Sequence, residues 1–237
     1  MSRLIRFTFV FGLTGLLVGC GTVAKNTSRT FKTVTVDAGH GGKDSGAYRR
    51  NGPPEKAVAL DVARRLDRKL RESQLKTVMT RSGDVFVSLD QRVAIGNGQR
   101  NSIFVSIHFN DSPRRVIHGF ETYYYSSASL DLAQRIQKHL STMPGAVNRG
   151  VHRAGFRVLR NLSYPSVLVE CGFLSNRSDR NEAGSDVYRE RLADKIAEAI
   201  VEQRFGAGMY NRTPTPPSPP PPPAEGPGLV SPKLFPP

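Results

Sequence analysis

The sequence predicts a single α/β domain over residues 30–205, with a largely parallel, twisted β-sheet flanked by helices. Short apolar runs alternate with longer segments of helical periodicity, which is typical of strands alternating with helices. The run SIFVSIH at residues 102–108 is apolar almost throughout, as expected for a central strand covered on both faces. The chain has 237 residues, of which 38% are hydrophobic, and this is enough for one sizeable core.

The first part of the domain alternates strand, helix and strand. Residues 31–37 (FKTVTVD) alternate apolar and polar side chains and predict the first strand. Pro53 and Pro54 suit the start of a helix, and residues 55–72 carry apolar side chains at a spacing of four, with arginines on the water-facing side. Residues 76–81 (KTVMTR) predict the second strand.

The rest of the domain continues the alternation. Ser88, with Gln91 three positions later, predicts a capping box that opens a helix at 89–97. The central strand then ends on His108. The remaining predicted elements are a strand at 119–126, a helix at 130–140, a strand at 166–170 that follows Pro165, and a helix at 186–204.

The first 19 residues predict an export signal. Arg3 and Arg6 precede an apolar run at 7–18, which closes on LLVGC at Cys20, and this layout resembles a bacterial lipoprotein signal. The alternative is an uncleaved transmembrane anchor. The apolar run is, however, shorter than the roughly 18 to 20 residues that a spanning helix needs. We therefore expect cleavage before Cys20.

Lipidation at Cys20 would tether the mature protein to a membrane. Residues 20–29 would then form a short polar tether, and the folded body would face the periplasm. Gly21, rather than Asp, follows the cysteine, which fits sorting to the outer membrane better than retention in the inner membrane. We expect a lipid-anchored protein of the cell envelope.

Residues 206–237 form a low-complexity tail rather than part of the domain. From residue 213 onward the chain reads TPTPPSPPPPPAEGPGLVSPKLFPP, which has too few backbone donors for helix or sheet. We expect polyproline II or disorder. A spacer is the favoured interpretation, and a ligand for a proline-binding domain is the alternative.

The charge balance favours an anionic environment. The chain has 34 basic and 20 acidic residues, a formal net charge of +14. Nucleic acid and an anionic cell envelope would both attract such a protein. The export signal favours the envelope, and the basic residues follow no known nucleic-acid-binding motif. We therefore expect no nucleic-acid partner.

The two cysteines exclude two kinds of site. If Cys20 carries lipid, Cys171 has no partner for a disulfide within the chain. Its position after the apolar run VLVE predicts a small, buried side chain. Because no C-x-x-C pair occurs, a zinc site built from thiolates is excluded.

Four residues capable of metal or proton chemistry lie at the ends of predicted strands or at the start of a predicted helix. His40, His108 and Glu170 stand at or just beyond the ends of strands, and Glu55 opens the first helix. Ligand crevices form at this edge of open α/β sheets, so distant residues can converge there. Two imidazoles and one carboxylate would make a three-ligand zinc set with a position left for water. A further carboxylate could then move protons.

Several segments resemble, in the same order, the zinc-dependent N-acetylmuramoyl-L-alanine amidases of cell-wall remodelling and division. These segments are DAGHGGKDSGA at 37–47, EK at 55–56, SIHFND at 106–111, GFETYY at 119–124 and VLVECGFLSNRSD at 167–179. The resemblance extends from about residue 32 to residue 205, essentially the whole predicted domain. Several segments in register are more specific than any one of them alone.

This resemblance implies a role for each candidate residue. His40, Glu55 and His108 would hold one zinc ion per chain, and Glu170 would be the catalytic acid/base. The substrate would be peptidoglycan, cut at the amide between N-acetylmuramic acid and L-alanine. Because both histidines must be neutral to coordinate, activity should fall in acid. Asn110 would orient substrate or a ligand, and the sequence identifies no activator protein.

Two departures from the family pattern are visible. Ala38 stands where the family commonly has proline, a change that leaves the proposed ligands intact. Division-type relatives often carry a helical insertion that covers the zinc. Here only about two dozen residues separate Tyr125 from Arg149, and one amphipathic helix fills most of them. We therefore expect no plug larger than that helix.

Other functions fit the sequence less well. A non-catalytic peptidoglycan-binding lipoprotein of the same fold would be expected to lose a ligand or the acid/base, and all four residues are present. A zinc peptidase shares the chemistry, but the chain lacks an H-E-x-x-H helix. The segment DAGHGG lacks the Gly-Lys-Ser/Thr ending of a phosphate-binding P-loop.

Each candidate residue also has an ordinary structural interpretation. Alone, Glu55 would be a favourable carboxylate in the first turn of a helix, and Glu170 could pair with an arginine. The remaining histidines are predicted to be structural. They are His118 beside a strand, His139 on a helix and His152 in a loop.

Overall fold

A computed structural model describes residues 25–49 and 52–210. Its strands are β1 (Thr33–Ala38), β2 (Lys76–Met79), β3 (Ser102–Asn110), β4 (Phe120–Tyr124), β5 (Asn148–Arg153) and β6 (Ser166–Phe173). Its helices are α1 (Glu55–Glu72), α2 (Leu89–Asn97), α3 (Leu130–Leu140), α4 (Arg157–Arg160), α5 (Arg177–Ala183) and α6 (Asp186–Phe205). The predicted α/β class is confirmed.

Within the described residues the strands form one six-stranded sheet in the order β2-β1-β3-β6-β4-β5. Every neighbouring pair is parallel except β4 and β6, which run antiparallel. The sheet is therefore largely parallel, as predicted. Because β1 runs parallel to β3 and β3 runs parallel to β6, the carboxyl ends of these three strands share one edge of the sheet, which we call the carboxyl edge.

Helices cover both faces of the sheet. The larger core lies between the sheet and the helices α1, α3 and α6, whose sheet-facing apolar side chains are buried. In α1 the residues that make this contact are Val58, Val62, Leu66 and Leu70, so the predicted stripe at a spacing of four is confirmed. A smaller cluster on the other face joins β3 and β6 to α4.

Several predicted elements match the structure closely, and others do not. Helix α1 has the predicted bounds, and Ser88 and Gln91 form the predicted capping box. Strands β3 and β6 both continue beyond the residues at which they were predicted to end. The prediction that His152 lies in a loop is wrong, because His152 belongs to β5. Among the described strands, β5 pairs with β4 alone, at one side of the sheet, and none of its residues is buried, so it lacks an apolar alternation.

The helix between β4 and β5 is part of the core. Leu132, Ala133 and Ile136 of α3 are buried in the cluster shared with α6. The expectation that this segment forms no separate plug over the site agrees with this packing.

The folded unit extends a little beyond the predicted bounds of 30–205. At the start, Lys25 N donates to Ser163 O at 2.8 Å and Thr27 Oγ1 donates to Ser102 O at 2.6 Å. At the end, Tyr210 Oη donates to Asp194 Oδ1 at 2.9 Å. Residues 25–29, predicted as part of the tether, therefore pack on the domain.

The other terminal predictions lie outside the described residues. These are the signal at 1–19, residues 20–24 of the tether with the lipidation site Cys20, and residues 211–237 of the tail predicted at 206–237. Among the described helices, none combines the length and apolar character needed to cross a bilayer. Cys171 is a free, buried cysteine, as predicted.

Candidate metal centre and active-site cleft

The fold brings three of the predicted residues into contact. His40 lies in the loop after β1, Glu55 is the first residue of α1, and His108 lies on β3. Glu55 Oε1 is 3.0 Å from His40 Nε2 and 2.8 Å from His108 Nδ1. One potential ligand atom from each residue lies within 4.8 Å of the other two.

These donor atoms fit a zinc ion. Two imidazole nitrogens and one carboxylate oxygen match the ligand set of hydrolytic zinc sites, which leave one position for water or substrate. The Glu55 carboxylate is 3% exposed and would be costly to bury without cationic neighbours. Among the described residues, this is the one group of histidine, cysteine and acidic side chains arranged to hold a metal.

The surroundings of Glu55 and His40 shift the pKa values of both side chains. Burial alone would raise the pKa of Glu55, but hydrogen bonds from His108 and His40 outweigh it and hold this pKa far below its ordinary value. Burial alone would lower the pKa of His40. The Glu55 and Asp44 carboxylates outweigh this effect and raise the pKa above 6.5. The cluster therefore attracts positive charge, whether as protons or as a metal ion.

Backbone and side-chain contacts hold Glu55 in place. Glu55 Oε2 accepts a hydrogen bond from Ala47 N at 2.8 Å, and Oε1 accepts one from Phe109 N at 3.0 Å. Both donors belong to segments that also carry a histidine of the cluster. The first turn of α1 thus fixes the carboxylate against both neighbouring segments.

His40 is positioned by residues that the sequence did not single out. Its backbone adopts φ 58°, a left-handed conformation that is uncommon for residues other than glycine. Its Nδ1 atom lies 2.9 Å from Asp44 Oδ2, which leaves Nε2 to face Glu55. A carboxylate on the second ring nitrogen is the usual way to orient a metal-binding histidine. Asp44 lies four residues after His40, a local signal that could have identified it.

Two buried arginines hold the loop that carries His40. Arg92 donates from NH2 to His40 O at 2.6 Å and from NH1 to both Ala38 O and Asp37 Oδ1. Arg81 donates to Gly39 O at 2.7 Å. Each arginine is 3% exposed. Their guanidinium groups supply donors to carbonyls that the left-handed loop leaves unpaired.

Two glycines make room for the cluster. A Cβ atom at Gly39 would lie 2.3 Å from His108 Cε1, and one at Gly46 would lie 2.4 Å from Glu55 Oε2. Gly46 also has φ 62°. Side chains at either position would displace a candidate ligand.

Glu170 stands beside the cluster on the neighbouring strand. In the sheet it is paired with His108 on one side and with Glu121 on the other. Its Oε2 atom is buried and has no hydrogen-bond partner within residues 25–49 and 52–210. Burial, together with the charges of Glu55 and Glu121, raises the pKa of Glu170 well above the ordinary carboxyl range. A carboxyl group in this state can hold a proton and deliver it.

A cleft of about 340 Å³ opens over these residues. His40, His108 and Glu170 contribute to its lining, and the apolar side is formed by Phe86, Val87, Leu89, Phe156, Val158 and Leu168. Phe86 and Phe156 are 46% and 42% exposed. We call this the aromatic cleft. Its exposed rings offer flat apolar surfaces beside the candidate acid/base.

The side chain of Asn110 contacts Glu121 rather than the metal cluster. Asn110 Nδ2 donates to Glu121 Oε2 at 3.1 Å, and Tyr123 Oη donates to the same oxygen at 2.8 Å. Arg149 Nε donates to Glu121 Oε1 at 2.7 Å. Both carboxylate oxygens of Glu121, next to Glu170, thus accept hydrogen bonds. The role of Asn110 in orienting substrate or a ligand stays a prediction.

The remaining histidines lie outside the cluster. His139 Nε2 is 2.5 Å from Glu202 Oε2, and His152 Nε2 is 2.9 Å from Arg149 O. His118 lies 3.9 Å from a carboxylate oxygen of Asp179. These contacts agree with the structural roles predicted for them.

Comparison with known proteins identifies relatives along most of the chain. The Amidase_3 family model, described as N-acetylmuramoyl-L-alanine amidase, matches residues 34–202. The uncharacterized protein YqiI of Bacillus subtilis is 38% identical over 204 residues, covering 84% of this chain and 97% of YqiI. LytC of the same organism, an N-acetylmuramoyl-L-alanine amidase, is 40% identical over 174 residues, covering 72% of this chain and 35% of LytC.

A solved structure shows the same fold. The N-acetylmuramoyl-L-alanine amidase AmiC2 of Nostoc punctiforme superposes with a TM-score of 0.69 at 39% sequence identity. The match covers 72% of this chain and 95% of that chain. The sequence matches and the structural match thus both cover the domain that carries the cluster and the aromatic cleft.

Proposed function

The chain belongs to the N-acetylmuramoyl-L-alanine amidase family, and on this premise we propose that it is a zinc-dependent enzyme of cell-wall remodelling or division. The bond cut is the amide between N-acetylmuramic acid and the L-alanine of the peptidoglycan stem peptide. The observation that carries the zinc mechanism is the contact of His40, Glu55 and His108 beside the unpartnered carboxyl oxygen of Glu170.

His40, Glu55 and His108 are the residues that would hold the zinc ion. Bound there, zinc would supply Lewis acidity, which polarises an amide carbonyl and makes a water easier to deprotonate. Asp44 keeps the His40 ring turned so that Nε2 faces the cluster. The hydrogen bond from Phe109 N keeps the Glu55 carboxylate directed between the two imidazoles.

Glu170 would carry the proton. Its Oε2 atom, free of other partners among the described residues, accepts the proton of the attacking water and returns it to the nitrogen of the departing alanine. Burial, together with the charges of Glu55 and Glu121, raises the pKa of Glu170 and so favours the form that delivers a proton. Glu121 cannot take this role, because Asn110, Tyr123 and Arg149 already occupy its oxygens.

The cellular setting is part of the proposal. Lipidation at Cys20 and anchoring in the outer membrane, facing the periplasm, would place the domain next to peptidoglycan. The export signal and the net charge of +14 support this location. Metabolic labelling with a fatty-acid probe, comparing the wild type with Cys20→Ala, tests it, and labelling of both proteins would contradict it.

Digestion of purified peptidoglycan tests the enzymatic proposal. The wild type should release stem peptides whose new amino terminus is L-alanine, detected by mass spectrometry after amine labelling. Chelation should stop the release, and added zinc should restore it. Release that persists after chelation would contradict the zinc mechanism, and binding to peptidoglycan without any release would favour a non-catalytic wall-binding protein.

A further inference from the structure

A second cleft, of about 750 Å³, opens at the carboxyl edge of the sheet, between segments that follow β1, β3 and β6. We call it the basic cleft. Among the described residues, its charged lining side chains are those of Arg49, Arg115, Arg177 and Arg180, and none of the described lining residues is acidic. A concave surface with charges of one sign concentrates ligands of the opposite sign. The basic cleft is therefore suited to an anionic ligand.

Each chain segment that forms the basic cleft comes directly from the metal centre. Arg49 lies in the loop between His40 and Glu55. Arg115 follows β3, the strand of His108, and Arg177 follows β6, the strand of Glu170. The basic cleft is thus built on segments that continue from β1, β3 and β6, which also carry His40, His108 and Glu170 of the aromatic cleft, but the two clefts have different linings.

Direct contacts join these segments. Arg49 NH2 lies 2.5 Å and 2.7 Å from the two carboxylate oxygens of Asp111, which stands three residues after His108. Ser112 N donates to Ser175 Oγ at 2.9 Å. These contacts hold the cleft walls in a fixed position relative to the metal centre.

Two of the four arginines already have partners. Arg49 is paired with Asp111, and Arg180 NH1 donates to the backbone oxygens of Leu174 and Asn176. Arg115 and Arg177 are exposed, and within the described part of the chain their guanidinium groups form no ion pair. These two cations are available to a ligand.

We propose that Arg115 and Arg177 bind carboxylates of the stem peptide, so that the substrate lies with its peptide in the basic cleft and its sugar on the aromatic cleft. This inference rests on the proposed function. Beyond L-alanine, the stem peptide continues with a glutamate linked through its side chain, which leaves its α-carboxylate free. Arginine binds carboxylates through two parallel hydrogen bonds, a geometry that lysine cannot provide.

The sugar requires a different surface, and the aromatic cleft provides it. Phe86 and Phe156 expose apolar faces on which a sugar ring can pack. The substrate would therefore bind in one orientation, with its peptide on the side of the basic cleft and its sugar on the side of the aromatic cleft. Phosphates of a wall polymer would also be attracted to the basic cleft. The stem peptide is favoured because a substrate held at the metal centre necessarily extends its peptide away from the scissile amide.

Steady-state kinetics with two soluble muropeptides test the proposal. One substrate carries the free α-carboxylate on its glutamate, and the other carries the amide at that position. The variants are R115Q/R177Q and, as a control with the same loss of charge, R100Q/R114Q, whose arginines are exposed and do not line the cleft. Thermal unfolding of all proteins checks that they are folded.

We expect R115Q/R177Q to raise KM for the free carboxylate about tenfold, with little change in kcat, because a charge-assisted hydrogen bond is lost in binding. The control should stay within about twofold of the wild type. Amidation of the substrate should raise KM for the wild type by a similar factor. It should have little further effect on R115Q/R177Q, since both changes remove the same contact.

Two results would overturn the proposal. One is a KM for R115Q/R177Q with the amidated substrate that is raised by the product of the two separate factors. The arginines would then act independently of the carboxylate. The other is a loss by R115Q/R177Q on intact cell envelopes but not on the soluble substrate, which would indicate binding of another anionic polymer. A wild type that cleaves neither muropeptide nor peptidoglycan would instead contradict the proposed function.

Discussion

Arg92→Leu should destabilise the metal-free protein because it removes the partner of a fully buried carboxylate. Arg92 NH1 lies 2.5 Å from Asp37 Oδ1, and both side chains are at most 4% exposed. Removing one member of such a pair leaves an uncompensated buried charge, which costs about 3 to 5 kcal/mol. Thr80 and Ser106 still donate to Asp37, so we expect a value near the lower limit.

Urea unfolding of the chelator-treated protein measures this loss. A domain of this kind typically has about 5 to 15 kcal/mol of stability, so the variant should remain largely folded without urea. Asp37→Asn in the same chain removes the buried charge but keeps an oxygen acceptor. It should recover at least about 1 kcal/mol of the loss. Arg29→Leu, which breaks the exposed pair with Asp131, should cost less than about 1 kcal/mol.

The loss should also extend to the metal site. Arg92 NH2 donates to His40 O, so Arg92→Leu frees the loop that orients this histidine. Supporting contacts of this kind typically change metal affinity about 10- to 100-fold. A loss of stability below about 1 kcal/mol, or no recovery in the double variant, would refute the argument that the buried charge pair fixes this loop.

Three further predictions concern the metal centre and the acid/base. Gly39→Ala should weaken zinc binding by at least about tenfold, measured by competition with a fluorescent chelator, because its methyl group would lie 2.3 Å from His108 Cε1; unchanged affinity would show that the loop moves freely. Zinc affinity should fall as the pH drops through the pKa of His40, by about tenfold per pH unit for each proton displaced. Because the Glu55 and Asp44 carboxylates, opposing the effect of burial, raise that pKa above 6.5, the fall should begin near neutral pH, and calorimetry in two buffers of different ionisation enthalpy would detect the released proton. Glu170→Gln should lower kcat by about 10²- to 10⁴-fold while zinc affinity stays close to that of the wild type, and a large loss of zinc would assign Glu170 to the ligands instead.

The spacing of apolar residues predicted those elements that bury one continuous apolar face. Helix α1 has a proline pair before it and four apolar residues at one spacing, so both its start and its buried face could be predicted. Strand β5 could not be predicted in this way, since it lies at the side of the sheet and has no buried residue. Helices α4 and α5, of 4 and 7 residues, are too short to show a period.

The candidate site divides in a similar way. His40, Glu55, His108 and Glu170 could be proposed because their residue types and their positions at element ends indicate chemistry. Arg81 and Arg92 gave no such signal, because arginines in a strongly basic chain are ordinarily solvated. Only the folded structure shows that these two cations enclose the left-handed loop of His40.

Strands β4 and β5 run opposite to the rest of the sheet, and this determines where residues can be inserted near the site. Because β4 runs antiparallel to β6, its first residues, rather than its last, lie beside Glu170. The turn at 141–147 leads back to this place, where Phe120 N donates to Val147 O at 2.9 Å. Residues added to that turn would emerge near Glu170 without disturbing any strand pairing. A designer seeking to switch the enzyme on and off could therefore graft a removable cover there.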